Sequence, residues 1–171
     1  MNEKHEPLPE KWSRYRNRPP EDRKLILRAA LILPLTEIGL RLFGFRQWKK
    51  IIEKFSLPSR PAQSLPETVQ IEAALRAVRA VRSVELHGPT TPNCLERSMT
   101  LWWLLRRHGV NGELHIGARK ESGRLEAHAW VELGGQVLND GAEVHQHYAR
   151  FDAPIAAAVA ESHAAGKVDS R

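Results

Sequence analysis

The stretch Leu125-Glu126-Ala127-His128-Ala129-Trp130-Val131-Glu132-Leu133-Gly134-Gly135-Gln136-Val137-Leu138-Asn139-Asp140 decides the fold. Residues 125–133 alternate as a strand does. Leu125, Ala127, Ala129, Val131 and Leu133 take one face, and Glu126, His128, Trp130 and Glu132 take the other. Gly134-Gly135 punctuates the run, and 136–140 reads as the returning strand of a hairpin. The loop sets the register. A two-residue loop pairs Leu133 with Gln136 and puts Asp140 opposite Ala129, on the wrong face for His128. A three-residue loop pairs Glu132 with Gln136 and puts Asp140 opposite His128 on the same face. We expect the three-residue loop, with one glycine supplying the left-handed residue.

Thirty-four residues before His128 stands Cys94, the chain's single cysteine. It cannot form an internal disulfide, so its chemistry is that of a free thiol. Asn93 is a good N-cap, and Glu96 completes a capping-box spacing; Thr91 as cap with Pro92 in the first helical position is the alternative. Either way Cys94 falls in the first turn, where free N–H groups and the positive helix end favour a thiolate. Residues 93–108 then read as an apolar helix stopped by Gly109. A helix-borne thiol followed by a strand-borne imidazole suits acyl transfer: the imidazole takes the thiol proton and returns it to the leaving amine. Asp140 would fix the imidazole tautomer. Asn93 and Trp130 are candidates to line the oxyanion hole or cleft.

Further out, residues 1–20 are polar and Pro-punctuated and read as a basic arm, 21–60 as an N-terminal helical segment, and 61–171 as one catalytic unit. Pro34 should kink or split the helical run, and Gly39 and Gly44 are further candidate breaks. A helix is expected over 66–84, strands near 113–119, 125–133 and 136–140, and an Ala-rich helix near 153–165. The expected class is α+β: a nucleophile helix packed on a small antiparallel sheet.

The 171 residues carry a net charge of +6. Acidic residues are mixed among the N-terminal basic ones and no nucleic-acid motif accompanies them, so nucleic acid is not the expected partner; the expectation is a solvated face, or a weak patch for an acidic peptide or a membrane surface. The run from Leu25 to Phe45 is interrupted by Arg28, Pro34, Glu37 and Arg41, which reads as a buried or surface-seeking helix rather than a span. The polar start carries no secretory signal, and the lone thiol fits a reducing compartment, so a cytoplasmic location is expected. His145-Gln146-His147, with His128 and Asp140, makes only a weak metal pattern; no metal and no cofactor are expected.

The order Cys94, His128, Asp140 resembles the transglutaminase-like branch of the papain-type arrangement. Asn93-Cys94-Leu95-Glu96-Arg97-Ser98, Ala127-His128-Ala129-Trp130-Val131-Glu132 and Asp140 resemble the lasso-peptide maturation peptidases, as do Leu33-Pro34-Leu35 and Leu40-Arg41-Leu42-Phe43-Gly44-Phe45. The resemblance covers roughly residues 22–145 and implies a papain/transglutaminase-like core. It also implies removal of the leader from a ribosomally made precursor, with Cys94 as nucleophile, His128 as base and Asp140 as orienting acid. A cyclase then uses the freed amine. The chain ahead of Cys94 is too short for a fused leader-recognition domain, which implies the stand-alone form and a separate leader-binding partner. The rival readings are an acyltransferase with the same residues and a non-catalytic helical scaffold.

Overall fold

A computed structural model describes residues 15–56, 65–88, 90–121 and 123–150. Residues 1–14 of the expected 1–20 arm, most of the linker before Pro66 and the Ala-rich helix near 153–165 lie outside the described residues. The elements run α1 (Pro20–Phe55), α2 (Glu67–His87), α3 (Cys94–Arg107), β1 (Glu113–Glu121), β2 (Arg124–Leu133), β3 (Gln136–Val137), α4 (Val144–His147) and β4 (Ala149–Arg150). The strands form one antiparallel sheet in the order β3-β2-β1-β4. The α+β class expected from sequence is present.

Pro20 opens α1 at a position where its missing N–H costs nothing, with Glu21 and Asp22 at the positive helix end. The split that was one expectation at Pro34 is absent: the helix runs through it. The break falls at Gly44, where φ is 70° and ψ is 171°. Gly39 explains how sharp it is. A Cβ on Gly39 would lie 2.3 Å from the Trp48 ring. In a straight helix those residues would be about 13 Å apart along the axis. The chain therefore folds back at Gly44, and Gly39 is the bare spot on which Trp48 lands.

Leu25, Ala29 and Ile52 of α1 share one core with Ala74, Ala77, Ala80 and Val81 of α2, Met99, Leu101, Leu104 and Leu105 of α3, and Val131 of β2. Alanines on α2 let the helices approach closely, and α3 lies at the centre. Its end is a full Schellman motif. Gly109, at φ 70°, donates to Arg106 O at 3.1 Å, and Val110 N donates to Leu105 O at 2.9 Å. Val110 is buried against the last turn, as that motif favours.

The hairpin register differs from the one expected. Leu133 pairs with Gln136 and Glu132 with Val137, which is the two-residue loop. Gly134 and Gly135 both have positive φ, 56° and 80°, as a type I′ turn requires. In addition, β3 stops at Val137 instead of reaching residue 140.

Candidate active site

Cys94 is the first residue of α3, partly exposed. The capping box expected from sequence is formed. Asn93 Oδ1 accepts from Glu96 N at 2.9 Å, and Glu96 Oε2 accepts from Asn93 N at 3.0 Å. The cap holds the first turn rigid where Cys94 sits.

Asp140 does meet His128, by a route the sequence reading did not contain. A continued two-residue register would leave Asp140 opposite Ala129. The ladder instead ends early. Leu138 N still donates to Val131 O at 2.9 Å, but Val131 N donates to the side-chain Oδ1 of Asn139 at 2.8 Å. An amide side chain thus stands where the next main-chain carbonyl would be. The backbone leaves the sheet there, and Asp140 comes round the edge of β2 to accept a hydrogen bond from His128 Nε2. The expected contact is present while the register that was to produce it is not.

The same edge receives α3. With β3 ended, Ala129 O on that edge of β2 needs a partner. Ser98 Oγ donates to it at 2.8 Å, and Asn139 Nδ2 donates to Ser98 Oγ at 2.9 Å. Ser98 is fully buried, one helical turn after Cys94 on the same face of α3. Farther along, Trp102 Nε1 donates to Gly112 O at 3.1 Å, next to Glu113, the partner of Glu132. Helix and strand therefore advance together, Ser98 beside Ala129 and Trp102 beside the Glu132 end. Cys94 lies one turn before Ser98, about 5 Å back along α3. Nε2 of His128 is committed to Asp140.

The face of the sheet carrying His128 is covered. Tyr148 stacks on the His128 ring at 4.8 Å between centroids, and the Arg119 guanidinium lies 5.0 Å over Tyr148. Trp130 is fully buried, 6.4 Å from the His128 ring, and its indole N–H donates to Glu132 Oε1 at 2.6 Å. Arg150 of β4 also donates to Glu132 Oε1, at 2.5 Å. A Cβ on Gly117 would press on Ala149 O at 2.9 Å and on the Trp130 ring at 3.0 Å, so this glycine lets β4 and the indole close over β1. Trp130 is thus a wall beneath the imidazole. Asn93 stays exposed, its Oδ1 committed to the cap.

Beside Asp140 a groove opens between α2 and α3, with Val78, Val81, Leu101 and Leu138 as apolar lining and Arg82 and the Glu85–Arg97 ion pair as polar lining. His87 ends α2 with Nδ1 2.9 Å from Ser83 O, and His115 lies within β1 against Trp130. Among the described residues, no group of three or more His, Cys, Asp or Glu side chains is placed to hold a metal ion.

Ser98 and Asn139 had drawn no functional reading from the sequence. Their signals were slight: a hydroxyl within α3, and an amide next to the acid. The opposite-face residue Glu132 also gave no sign that it would be buried, because the segment that covers it, 144–150, has no strong pattern of its own.

No curated protein and no solved structure matches the chain. The family model described as the Transglutaminase-like superfamily matches residues 39–152, a span that takes in the second half of α1, both later long helices and the whole sheet. With a match over most of its length, one that takes in both the helix-start Cys94 and the strand-borne His128, the chain belongs to the Transglutaminase-like superfamily.

Proposed function

We propose that the protein is a cysteine peptidase that removes the leader from a lasso-peptide precursor. The observation that carries the reading is the β2 edge, where Ser98 on α3 bonds Ala129 O while Asp140 takes the neighbouring His128. Nδ1 of His128 takes the Cys94 proton, and the thiolate attacks the scissile carbonyl. Backbone N–H groups at the start of α3 receive the oxyanion. The imidazolium then protonates the leaving amine, giving a thioester on Cys94, and water attacks the thioester to release the leader carboxylate. Asp140 keeps Nε2 protonated and stabilises the imidazolium. The groove beside Asp140 takes the extended peptide.

The partners in this reading are the precursor, a separate leader-binding protein and the cyclase that uses the freed amine. Incubation of the chain with precursor and leader-binding protein, followed by mass spectrometry, tests it. The expected products are a leader ending in a free carboxylate and a core with a free amine, both absent with Cys94→Ala. Products in which the leader acyl group is joined to an added amine would make the protein an acyltransferase instead. Full cleavage by Cys94→Ala would end the cysteine-enzyme reading.

A further inference from the structure

The outer face of α1 carries a surface that the proposed chemistry does not use. Leu27, Leu31, Leu35, Ile38, Leu42 and Phe43 are 65%, 63%, 44%, 53%, 71% and 53% exposed. Their spacing keeps Leu27 to Leu42 on one side of the helix for about 22 Å. The opposite side, with Leu25, Ala29, Leu33 and Thr36, is buried. The helix is thus apolar on both faces, and only one face has the core against it.

Charge around the stripe is one-signed. Along the stripe the exposed charged residues are Lys24, Arg28 and Arg41, all basic; exposed Glu21, one turn earlier, is paired with Arg76, and Arg46 and Lys50 follow the Gly44 reversal. The acid within that span, Glu37, is half-buried and paired with Arg41 at 2.8 Å. An apolar stripe rimmed by cations is the pattern of a helix lying in the interface of an anionic bilayer, with leucines below the headgroups and guanidinium and ammonium groups among the phosphates. A second copy of the chain would set one basic rim against another. Among the described residues no helix is long and apolar enough to cross a membrane, so the face would lie on a bilayer rather than span it.

We propose that the outer face of α1 docks on an anionic lipid surface. This stands apart from the peptidase reading, since neither the stripe nor its rim touches Cys94, His128 or Asp140.

Flotation of the full-length protein with vesicles of phosphatidylglycerol and phosphatidylcholine, against phosphatidylcholine alone, is the test. Binding is expected on the anionic vesicles and not on the neutral ones, and it should weaken in high salt. The apparent affinity should drop by roughly tenfold or more for Leu31→Glu with Leu42→Glu, and similarly for Arg28→Glu with Arg41→Glu. These sites are exposed; circular dichroism checks the fold, and Leu31→Ser with Leu42→Ser replaces any variant that unfolds. Absence of vesicle binding, equal binding to neutral vesicles, or binding unchanged in the leucine variants would overturn the proposal. So would a dimer, seen by light scattering, that the leucine variants dissociate.

Discussion

Asp140 and Asn139 are neighbours with divided duties. Asp140 bonds the imidazole, while Asn139 closes the sheet edge that lets Asp140 reach it. Asp140→Asn keeps the shape and removes the charge. In the proposed reaction it should lower kcat by about 10²- to 10⁴-fold with little change in KM, read by steady-state cleavage of the precursor. Asn139→Ala strips the acceptor from Val131 N and a donor from Ser98 Oγ. Leaving a buried amide unpaired costs about 1–3 kcal/mol, a loss that urea unfolding measures, and kcat should fall as Asp140 loses its anchor. The helix-start position of Cys94 and the strand position of His128 were legible in the sequence, from a capped helix start and an alternating strand, whereas the Asp140 contact was expected from a register the hairpin does not have. Ser98 and Asn139 were not legible, because their role exists only where α3 meets the open edge of β2.

The clearest successes at the level of elements are the ends of α3. Asn93-Cys94-Leu95-Glu96 states its own cap, and Gly109 states its own stop. Replacing Asn93 with Ala should cost about 1 kcal/mol, and Gly109→Ala, at φ 70°, about 1–2 kcal/mol, both visible as lowered urea midpoints. The β2–β3 hairpin shows where sequence reading failed. Gly134-Gly135 is itself a two-residue type I′ signal. The longer loop was favoured only because an unbroken ladder then led from His128 to Asp140. The ladder breaks, and no strand pattern announces a side chain that replaces a carbonyl. The helical run shows the converse error. Pro34 looked the stronger breaker, yet proline within a long helix can be carried by packing, and Leu33 beside it is buried. Gly44 yields instead because left-handed φ is cheap for it. Gly39→Ala should push Trp48 away from the part of α1 before Gly44 and destabilise by about 1–3 kcal/mol, again read by urea unfolding.

Across the whole molecule, α1 is bound into the same core as the later helices, and its contact with the end of α3 carries a titratable group. Arg28 lies 3.2 Å from His108 Nε2. Partial removal of the ring from water, and then the Arg28 charge, hold the His108 pKa below its ordinary 6.5. The folded state thus binds this proton more weakly than the unfolded chain. Stability is full above pH 6.5 and declines as pH falls from there toward the folded pKa. The residue keeps an exposed edge, so the effect should be small. Unfolding midpoints should drop on acidification below pH 6.5, and His108→Gln should flatten that part of the profile. The fold class was readable from alternation and helical spacing. The back of the sheet was not: β4 pairs only Ala149 and Arg150 with β1, too short a strand to leave a sequence pattern.

The central claim, that His128 activates Cys94, can be measured without any substrate. Cys94 is the only thiol, so alkylation by iodoacetamide, followed by intact mass, reports one site. At neutral pH the native protein should react at least roughly tenfold faster than the urea-unfolded chain, and His128→Ala should erase that advantage while keeping the fold. Equal rates in native and unfolded protein, or a native rate untouched by His128→Ala, would contradict the account.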